Sequence, residues 1–498
     1  MTSSPSITTL STKTVSRDVG NGMGNGLFAT GDINTGENVL HVKSPFAAVL
    51  DTPRLEDTCS ACFGRRQLEG VTELKACTGC RVVKYCDRTC QAKDWKFAHS
   101  LECSIFQTQK PKILPNNARA MLRMVHRAQK HKYHSEEMDL FSNLESHLSE
   151  IQQDEEHIGR ITMVAKAVKS CAKTDLDEDA IAQYAAKLDV NSFNLTTFTY
   201  DRVGLYMHPY AALINHSCDY NASVGFDGDE LFVKAIRPIK KDEQVFISYV
   251  DVTNPTSQRR KDLSERYFFD CICSKCTAEE TEIRETSEEL RQEETDALQA
   301  AQKQATELFQ NPTTDSDASS ETIEKLERFL HIFHETTIWP LHRQPYPSIR
   351  DSLILSLLSA GNFPRAFLHA AIRYMKIDPQ LYSDAHPIRH LHAWVVAKLA
   401  IYLSQGYQPT PQDFKDPIPL HEFGFNFHYV IWYILADLTS KQAEGCTVPS
   451  FKKLVVSNFA TVDEEFKRNG IDPRNAKGTV SAEWTKFEAL INRALERE

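Results

Sequence analysis

Cysteine carries the strongest chemical signal in the sequence, because seven of its thirteen cysteines and one histidine crowd into residues 59 to 103. These eight residues form four close pairs: Cys59 and Cys62, Cys77 and Cys80, Cys86 and Cys90, and His99 and Cys103. A structural zinc site takes four sulfur or nitrogen ligands in a tetrahedron, so eight ligands predict two closed zinc sites. A segment with so few large aliphatic side chains cannot build a sufficient hydrophobic core, so metal binding would have to stabilise its fold. The spacing alone does not say which pairs share a metal ion.

A second cysteine cluster, Cys271, Cys273 and Cys276, is one ligand short of a tetrahedral site. The candidates for the missing ligand are the cysteines outside both clusters: Cys171, Cys218 and Cys446. Cys218 ends the stretch Asn215–Cys218, an irregular loop that follows a short apolar run. A metal ion at Cys218 would therefore tie the second cluster to a loop that could hold a ligand. A lone tyrosine, Tyr249, ends the next strand-like run.

Length and composition bound the kind of protein that carries these clusters. The chain has 498 residues and a net charge of −10, which predicts two to four domains and disfavours nucleic-acid binding. No apolar run approaches the roughly 18 residues of a membrane helix. Residues 1–14 are rich in Ser and Thr and lack an apolar core, so we expect a disordered tail rather than a secretory signal. We therefore expect a reducing compartment, nuclear or cytoplasmic, where clustered cysteines bind metal rather than form disulfides.

The elements that must position these residues alternate between strand-rich and helical stretches. The glycine-rich run Val19–Thr30 precedes short strand patterns that continue to Leu50. Apolar residues at helical spacing fill residues 105–188, and short strands with a hairpin signal at Asp227-Gly228-Asp229 return up to Tyr249. Helical patterns then dominate from residue 281 to the end, with turns that suggest paired helices stacked in a short solenoid.

In this order the motifs resemble the SMYD-type protein-lysine methyltransferases, whose SET domain is split by a MYND zinc finger. The resemblance rests on Gly24-Asn25-Gly26, the eight-ligand finger, Asn191-Ser192-Phe193, Asn215–Cys218 and Tyr249, together with the second cysteine cluster. It implies an α+β multidomain protein with a β-rich SET domain, a helical insert, a zinc-bound post-SET segment and an all-α, TPR-like C-terminal domain. The implied boundaries are a tail over 1–14, SET parts over 15–55 and 189–255, the MYND finger over 56–104, the insert over 105–188, the post-SET segment over 256–280 and the helical domain over 281–498.

The resemblance also implies site residues and cofactors. The cofactor is S-adenosylmethionine, with Tyr249 as the active-site residue. The implied cofactor contacts are Gly24, Asn25, Gly26, Asn191, Asn215, His216, Tyr249 and Phe269. The implied walls of the substrate channel are Tyr206, Tyr249 and Tyr267. Three zinc ions are expected: one on Cys59, Cys62, Cys86 and Cys90, one on Cys77, Cys80, His99 and Cys103, and one on Cys218, Cys271, Cys273 and Cys276.

The sequence departs from the family pattern at two places near these residues. Tyr220 stands where the loop after Asn215–Cys218 normally has proline, and Asp242-Glu243-Gln244 replaces an acidic turn that ends in leucine. Neither change removes a reacting group. The leading hypothesis is therefore a lysine methyltransferase acting on a histone or another protein as a monomer. The alternatives are a catalytically silent scaffold whose MYND finger binds a proline-rich peptide, and, as a weak third, DNA binding by the basic finger.

Overall fold

The computed structural model describes residues 10–20, 24–70, 73–287, 303, 318–335, 340–408 and 416–498. The chain divides into two compact units. The first comprises Met1–Val250, Arg260–Cys271 and Cys446–Phe451, and the second comprises Asp251–Arg259, Ile272–Gly445 and Lys452–Glu498. Across the described ranges, no helix combines the length and apolar character needed to cross a membrane.

All of the described strands belong to the first unit. They are β1 (Leu10–Thr12), β2 (Thr14–Asp18), β3 (Asn25–Ala29), β4 (Asn38–Val42), β5 (Ala47–Leu50), β6 (Lys75–Ala76), β7 (Lys84–Tyr85), β8 (Phe193–Thr196), β9 (Arg202–Met207), β10 (Asn215–His216), β11 (Ala222–Asp227), β12 (Glu230–Ala235) and β13 (Phe246–Ile247). They form small sheets rather than one large sheet. The largest has the order β1-β4-β12-β11, and a three-stranded sheet has the order β5-β9-β8.

Antiparallel pairing dominates, as short strands joined by tight turns require. The hairpin predicted at Asp227-Gly228-Asp229 joins β11 to β12, and Gly228 adopts a positive φ of 67° that suits a two-residue turn. The strands β5 and β12 present almost only buried residues, so both of their faces lie in the core. The pair β10 and β13 is parallel, and this pair brings together two loops that lie far apart in the sequence.

The predicted disordered tail is wrong where it can be checked. Residues 1–9 lie outside the described part, but Leu10–Thr12 form β1 and pair with β4, and Thr14 begins β2. The side chain of Thr14 is fully buried and accepts or donates a hydrogen bond with the Tyr210 hydroxyl at 3.2 Å. The ordering comes from partners distant in sequence, which the local Ser/Thr-rich composition could not indicate.

Helices of the first unit fill the interval between the two groups of strands. They are α1 (Arg88–Asp94), α2 (Ser100–Gln109), α3 (Asn116–Gln129), α4 (Ser135–Ser142), α5 (Leu148–Ile151), α6 (Glu155–Ala172) and α7 (Glu178–Asn191). A π-helical turn, Trp95–His99, joins α1 to α2. The helix α3 is the central one, because it packs on β5 and β9 as well as on α6 and α7. Its predicted apolar residues Met121, Leu122, Met124 and Val125 are all at most 1% exposed.

The remaining described helices are α8 (Thr256–Tyr267), α9 (Ser274–Ser287), α10 (Ala318–Glu335), α11 (Tyr346–Ser359), α12 (Phe363–Ile372), α13 (Asp378–Leu381), α14 (Pro387–Ser404), α15 (Phe427–Ser440), α16 (Pro449–Arg468) and α17 (Lys477–Glu496). The helices α10, α11 and α12 pack on one another in sequence, and so do α12, α14 and α15. The predicted stripe Leu326, Phe329, Leu330 and Phe333 is buried at every position. This supports the predicted all-α architecture, while the domain boundaries stay predictions.

Candidate active site and zinc centres

Three groups of four side chains bring cysteine sulfur and histidine nitrogen atoms to within 4.8 Å of one another. The first contains Cys59, Cys62, Cys86 and Cys90, and the second contains Cys77, Cys80, His99 and Cys103. The third contains Cys218, Cys271, Cys273 and Cys276. These are the groupings that the family resemblance implies. Of the three candidates for the fourth ligand of the third site, the structure brings Cys218 to the cluster.

The spacing of the donor atoms fits a tetrahedral zinc ion. A Zn–S bond of about 2.3 Å puts neighbouring sulfurs about 3.8 Å apart. The Sγ atoms of Cys62 and Cys86 are 3.7 Å apart, and those of Cys77 and Cys103 are 3.8 Å apart. In the third group, the Sγ atoms of Cys218 and Cys271 are 4.0 Å apart. None of the thirteen cysteines, all of which lie in the described residues, forms a disulfide, and these sulfurs lie far beyond the roughly 2.05 Å of an S–S bond.

A buried ionic network fastens the zinc finger to α3. Arg123 donates to both oxygens of Glu102 at 2.8 Å and lies 3.4 Å from Asp94. Tyr85 donates its hydroxyl hydrogen to Asp94 at 2.7 Å. Burial raises the pKa of Asp94 to about 6, although Arg123 opposes the shift. For Glu102, burial alone would raise the pKa, but the two bonds from Arg123 outweigh it and the pKa is lowered. A carboxylate that is held this way lies directly before the ligand Cys103.

The loop Asn215–Cys218 is held against the segment that ends at Tyr249. Asn215 and His216 form β10, which pairs in parallel with Phe246 and Ile247 of β13. The Ser217 amide donates to the Ile247 carbonyl at 3.1 Å, which extends the pairing by one bond. Asn221 completes the junction, because its side chain accepts from the Phe246 amide at 2.8 Å and donates to the Gln244 carbonyl at 2.9 Å.

Tyr249 stands at the centre of an aromatic cluster. Its hydroxyl donates to the Ile214 carbonyl at 2.6 Å, and burial raises its pKa above the ordinary value. The Tyr267 ring lies 4.8 Å from the Tyr249 ring, and the His216 ring lies 5.3 Å from it. Phe269 is 5.9 Å from His216 on the other side. A phenol in this setting stays protonated near neutral pH and therefore acts as a hydrogen-bond donor rather than as a base.

A strained residue turns the chain between the two outer aromatics. Phe268 has a φ of +60°, which is unusual for a residue with a large side chain. Tyr267 and Phe269 both contribute to the cluster around Tyr249 and His216, whereas the Phe268 ring lies 5.1 Å from that of His147. The positive φ thus lets three consecutive aromatic residues serve two different contacts. Such strain is common at functional sites, and no local sequence pattern predicts it here.

The glycine-rich turn lies against Asn215. The Asn215 side chain donates to the Asn25 carbonyl at 3.2 Å. A Cβ atom on Gly26 would lie 3.1 Å from Asn215 Nδ2 and only 2.3 Å from Gln244 Nε2, so a side chain here would force its neighbours or the turn to shift. Gly24, with a φ of +68°, has no atom of the described residues within 4 Å of its missing Cβ. The turn is packed tightly at Gly26, and the positive φ of Gly24 lets the backbone turn there, as a cradle for an extended ligand would need.

Gln244 is a residue near this turn to which sequence reasoning gave no role. Its side-chain nitrogen is buried and has no hydrogen-bond partner among the described residues. It sits beneath Gly26, in the segment where the sequence departs from the family's acidic-acidic-Leu pattern. An unsatisfied buried donor costs about 1–3 kcal/mol, and cofactor sites tolerate such groups. Together, the glycine turn, the Asn215 amide and this orphaned donor fit the polar end of an S-adenosylmethionine molecule.

Two predicted site residues do not join this cluster. Tyr206 is fully buried in β9, packs its ring 5.0 Å from Phe226 and leaves its hydroxyl without a hydrogen-bond partner in the described part of the chain. Asn191 ends α7, where its side chain donates to the carbonyls of Glu145 and Lys187 at 2.8 Å. Neither makes a hydrogen bond or ring contact with Tyr249 or Asn215 among the described contacts. Their roles in the channel and at the cofactor stay predictions.

Comparison with known proteins finds a matching domain profile and several similar proteins. The SET domain family profile matches residues 24–250. The SET domain and MYND-type zinc finger protein 6 of Schizosaccharomyces pombe is 32% identical over 259 residues, which cover 52% of this chain and 51% of that protein. The histone-lysine N-methyltransferase SMYD3 of Mus musculus is 31% identical over 264 residues, which cover 52% of this chain and 60% of that protein. This chain thus spans between half and three fifths of the length of these relatives.

Among solved structures, a match is the SET domain of LSMT, solved with lysine and AdoHcy bound. It has 15% sequence identity and a TM-score of 0.25, and the match covers 91% of this chain and 88% of that one. A score this low carries no weight for the fold. The similarity to SET and MYND domain proteins therefore rests on the sequence profile, on these relatives and on the three groups of four metal-binding side chains.

Proposed function

We propose that this chain is a SET and MYND domain protein and an S-adenosylmethionine-dependent protein-lysine N-methyltransferase. The observation that carries the proposal is the convergence of three sequence-distant segments. The turn at Gly24–Gly26, the loop at Asn215 and His216, and Tyr249 are connected by direct hydrogen bonds. The bound cofactor supplies a methyl group that its sulfonium already activates. The protein has to orient the acceptor amine and exclude water rather than provide strong acid or base catalysis.

The chemistry of the aromatic cluster supports an amine acceptor. Tyr249 and Tyr267 are both largely buried, and burial raises the pKa of each hydroxyl. Neutral phenols can hold an amine by hydrogen bonds, and apolar ring faces disfavour the ammonium form because it loses its hydration. The Ile214 carbonyl fixes the Tyr249 hydroxyl at 2.6 Å, so the direction of that group is set before a substrate binds. A lysine side chain is the protein amine that such an aromatic site would take.

The twelve metal ligands would hold three zinc ions in structural roles. Each tetrad supplies four protein ligands, so no ligand position is left for water or substrate. The third tetrad lies at the loop that carries Asn215 and His216 and next to the segment with Tyr267 and Phe269. Its contribution to the reaction would be to fix both segments at once.

A transfer assay tests the proposal. The purified zinc-loaded chain is incubated with methyl-labelled S-adenosylmethionine and either core histones or a cell extract. Tyr249→Phe removes the hydroxyl that is bound to the Ile214 carbonyl. Tyr133→Phe is a matched control, because that hydroxyl also donates to a backbone carbonyl, of Phe46 at 2.9 Å, but outside the site. We expect label on protein lysines with the wild type and the control, and a loss of at least tenfold with Tyr249→Phe. Equal labelling by Tyr249→Phe would refute the proposed role.

The substrate, the peptide partner, the oligomeric state and the localisation are also proposals. A histone substrate is suggested by the printed name of the mouse relative. A proline-rich peptide partner is supported by the Trp95 side chain of the zinc finger, which is 46% exposed. Titration of a proline-rich peptide followed by Trp fluorescence, with Trp95→Ala as the comparison, tests this. We further propose a monomer in the nucleus or cytoplasm, which light scattering and a fluorescent fusion would check.

A further inference from the structure

The side chain of His216 is engaged at both ring nitrogens. Its Nδ1 accepts a hydrogen bond from the backbone amide of Tyr249 at 3.0 Å. Its Nε2 lies 3.3 Å from the Sγ atom of Cys218. A nitrogen that accepts a hydrogen bond carries no proton, so the ring proton resides on Nε2 and points at the sulfur. The residue as a whole is only 9% exposed, which leaves little access for water to replace either contact.

The contact with Cys218 concerns the third metal site. Cys218 is one of the four residues of that tetrad and is bound as a thiolate when zinc is present. An N–H group that donates to a metal-bound thiolate offsets part of its negative charge and fixes its direction. Hydrogen bonds of this kind, one step outside the ligands, commonly change metal affinity or activity by about 10- to 100-fold.

The contact with Tyr249 concerns the proposed catalytic residue. The parallel pairing of β10 with β13 ends at Ile247, two residues before Tyr249. The Tyr249 amide therefore has no partner in that ladder, and the imidazole takes the place of a strand carbonyl. The Tyr249 hydroxyl is fixed separately, by the Ile214 carbonyl. His216 and Ile214, two residues apart on the loop, thus hold the backbone and the side chain of Tyr249.

We propose that His216 is a positioning residue that connects the third zinc site to Tyr249, one nitrogen serving each. The proposal rests on the function proposed above only for the catalytic meaning of Tyr249. The connection itself is a property of the folded, zinc-loaded protein. Methyl transfer is then sensitive to the third zinc through His216.

Two substitutions each remove one of the two contacts of His216 and keep the other. The amide oxygen of His216→Asn lies near the position of Nδ1 and can still accept from the Tyr249 amide, but the side chain is too short to reach Cys218. The amide nitrogen of His216→Gln lies near the position of Nε2 and can still donate to the thiolate, but no acceptor remains for Tyr249. Cys276→Ser removes a ligand of the third site alone, so the phase of zinc release that it changes is the one that belongs to the third zinc.

The readouts are zinc release from the purified zinc-loaded protein to a chromogenic chelator, hydrogen exchange of the Tyr249 amide, and kcat. We expect His216→Asn to release the third zinc about tenfold faster while the Tyr249 amide stays protected. We expect His216→Gln to keep the release rate of the wild type, to lose protection at Tyr249 and to show the larger fall in kcat. If both variants change zinc release and exchange to the same extent, or if neither changes them, the proposal is overturned. If the wild type transfers no methyl group, the first two readouts still decide the connection.

Discussion

The absence of a side chain at Gly26 is a requirement of the cofactor cradle that can be tested quantitatively. In Gly26→Ala the new Cβ would lie 2.3 Å from Gln244 Nε2 and 2.8 Å from Val19 Cγ2, both closer than any real contact. The two neighbours or the turn itself must therefore move. Extra volume in a packed site costs about 1–3 kcal/mol, and every 1.4 kcal/mol changes an affinity about tenfold. If the turn moves, the affinity for the cofactor should fall by about five- to 100-fold.

Calorimetric titration of S-adenosylhomocysteine into the zinc-loaded protein measures this loss. Gly31→Ala is the matched control, because its Cβ would meet no atom within 4 Å and its φ is not positive. The double variant Gly26→Ala with Val19→Ala removes the 2.8 Å clash with Val19 Cγ2 and should recover part of the affinity. Binding by Gly26→Ala that equals the wild type would refute the prediction that the turn has to move. A loss that is equal in Gly31→Ala would show that the effect is not local.

Three further predictions concern stability and metal content. Arg123→Met leaves the carboxylates of Glu102 and Asp94 buried without their cation, so it should lower the free energy of unfolding by about 3–5 kcal/mol in denaturant titrations. The exposed pair of Arg160 and Glu156 should contribute only about 0.3–0.5 kcal/mol to stability. If Arg160→Met destabilised the protein as much as Arg123→Met, burial of the Arg123 network would not be the reason for its larger effect. His208 is fully buried without a partner for either ring nitrogen in the described residues, and burial lowers its pKa to about 3 from the ordinary 6.5. The unfolded chain alone takes up this proton below pH 6.5, so stability is lost as the pH falls, by about 1.4 kcal/mol at pH 5.5. In thermal melts between pH 8 and 5.5, His208→Phe should lose less stability than the wild type as the pH falls. An equal loss in both proteins would show that another group takes up the proton. Finally, elemental analysis should find three zinc ions per chain, and about two in Cys276→Ser if its tetrad binds one ion; three in that variant would exclude it as a ligand.

Much of the candidate site follows from local chemistry in the sequence. The paired cysteines and His99 indicate zinc because their spacing suits tetrahedral coordination by short loops, whatever surrounds them. The hairpin at Gly228 and the buried stripe of α3 follow from turn chemistry and from helical periodicity. The assignment of Asn215, His216 and Tyr249 to one site came instead from their resemblance to a family, since nothing in their spacing places them together.

The tertiary structure alone decided how the distant segments meet. The parallel pairing of β10 with β13 sets Tyr249 beside His216, and it also gives the imidazole two partners that no local pattern encodes. The same holds for Leu10–Thr12, where a partner strand orders a segment whose composition predicted a tail. It holds as well for Gln244, whose buried amide matters only because Gly26 lies above it. Ligand types and short-range turns are properties of neighbouring residues, whereas pairing, burial and the direction of a hydrogen bond depend on residues brought together by the whole fold.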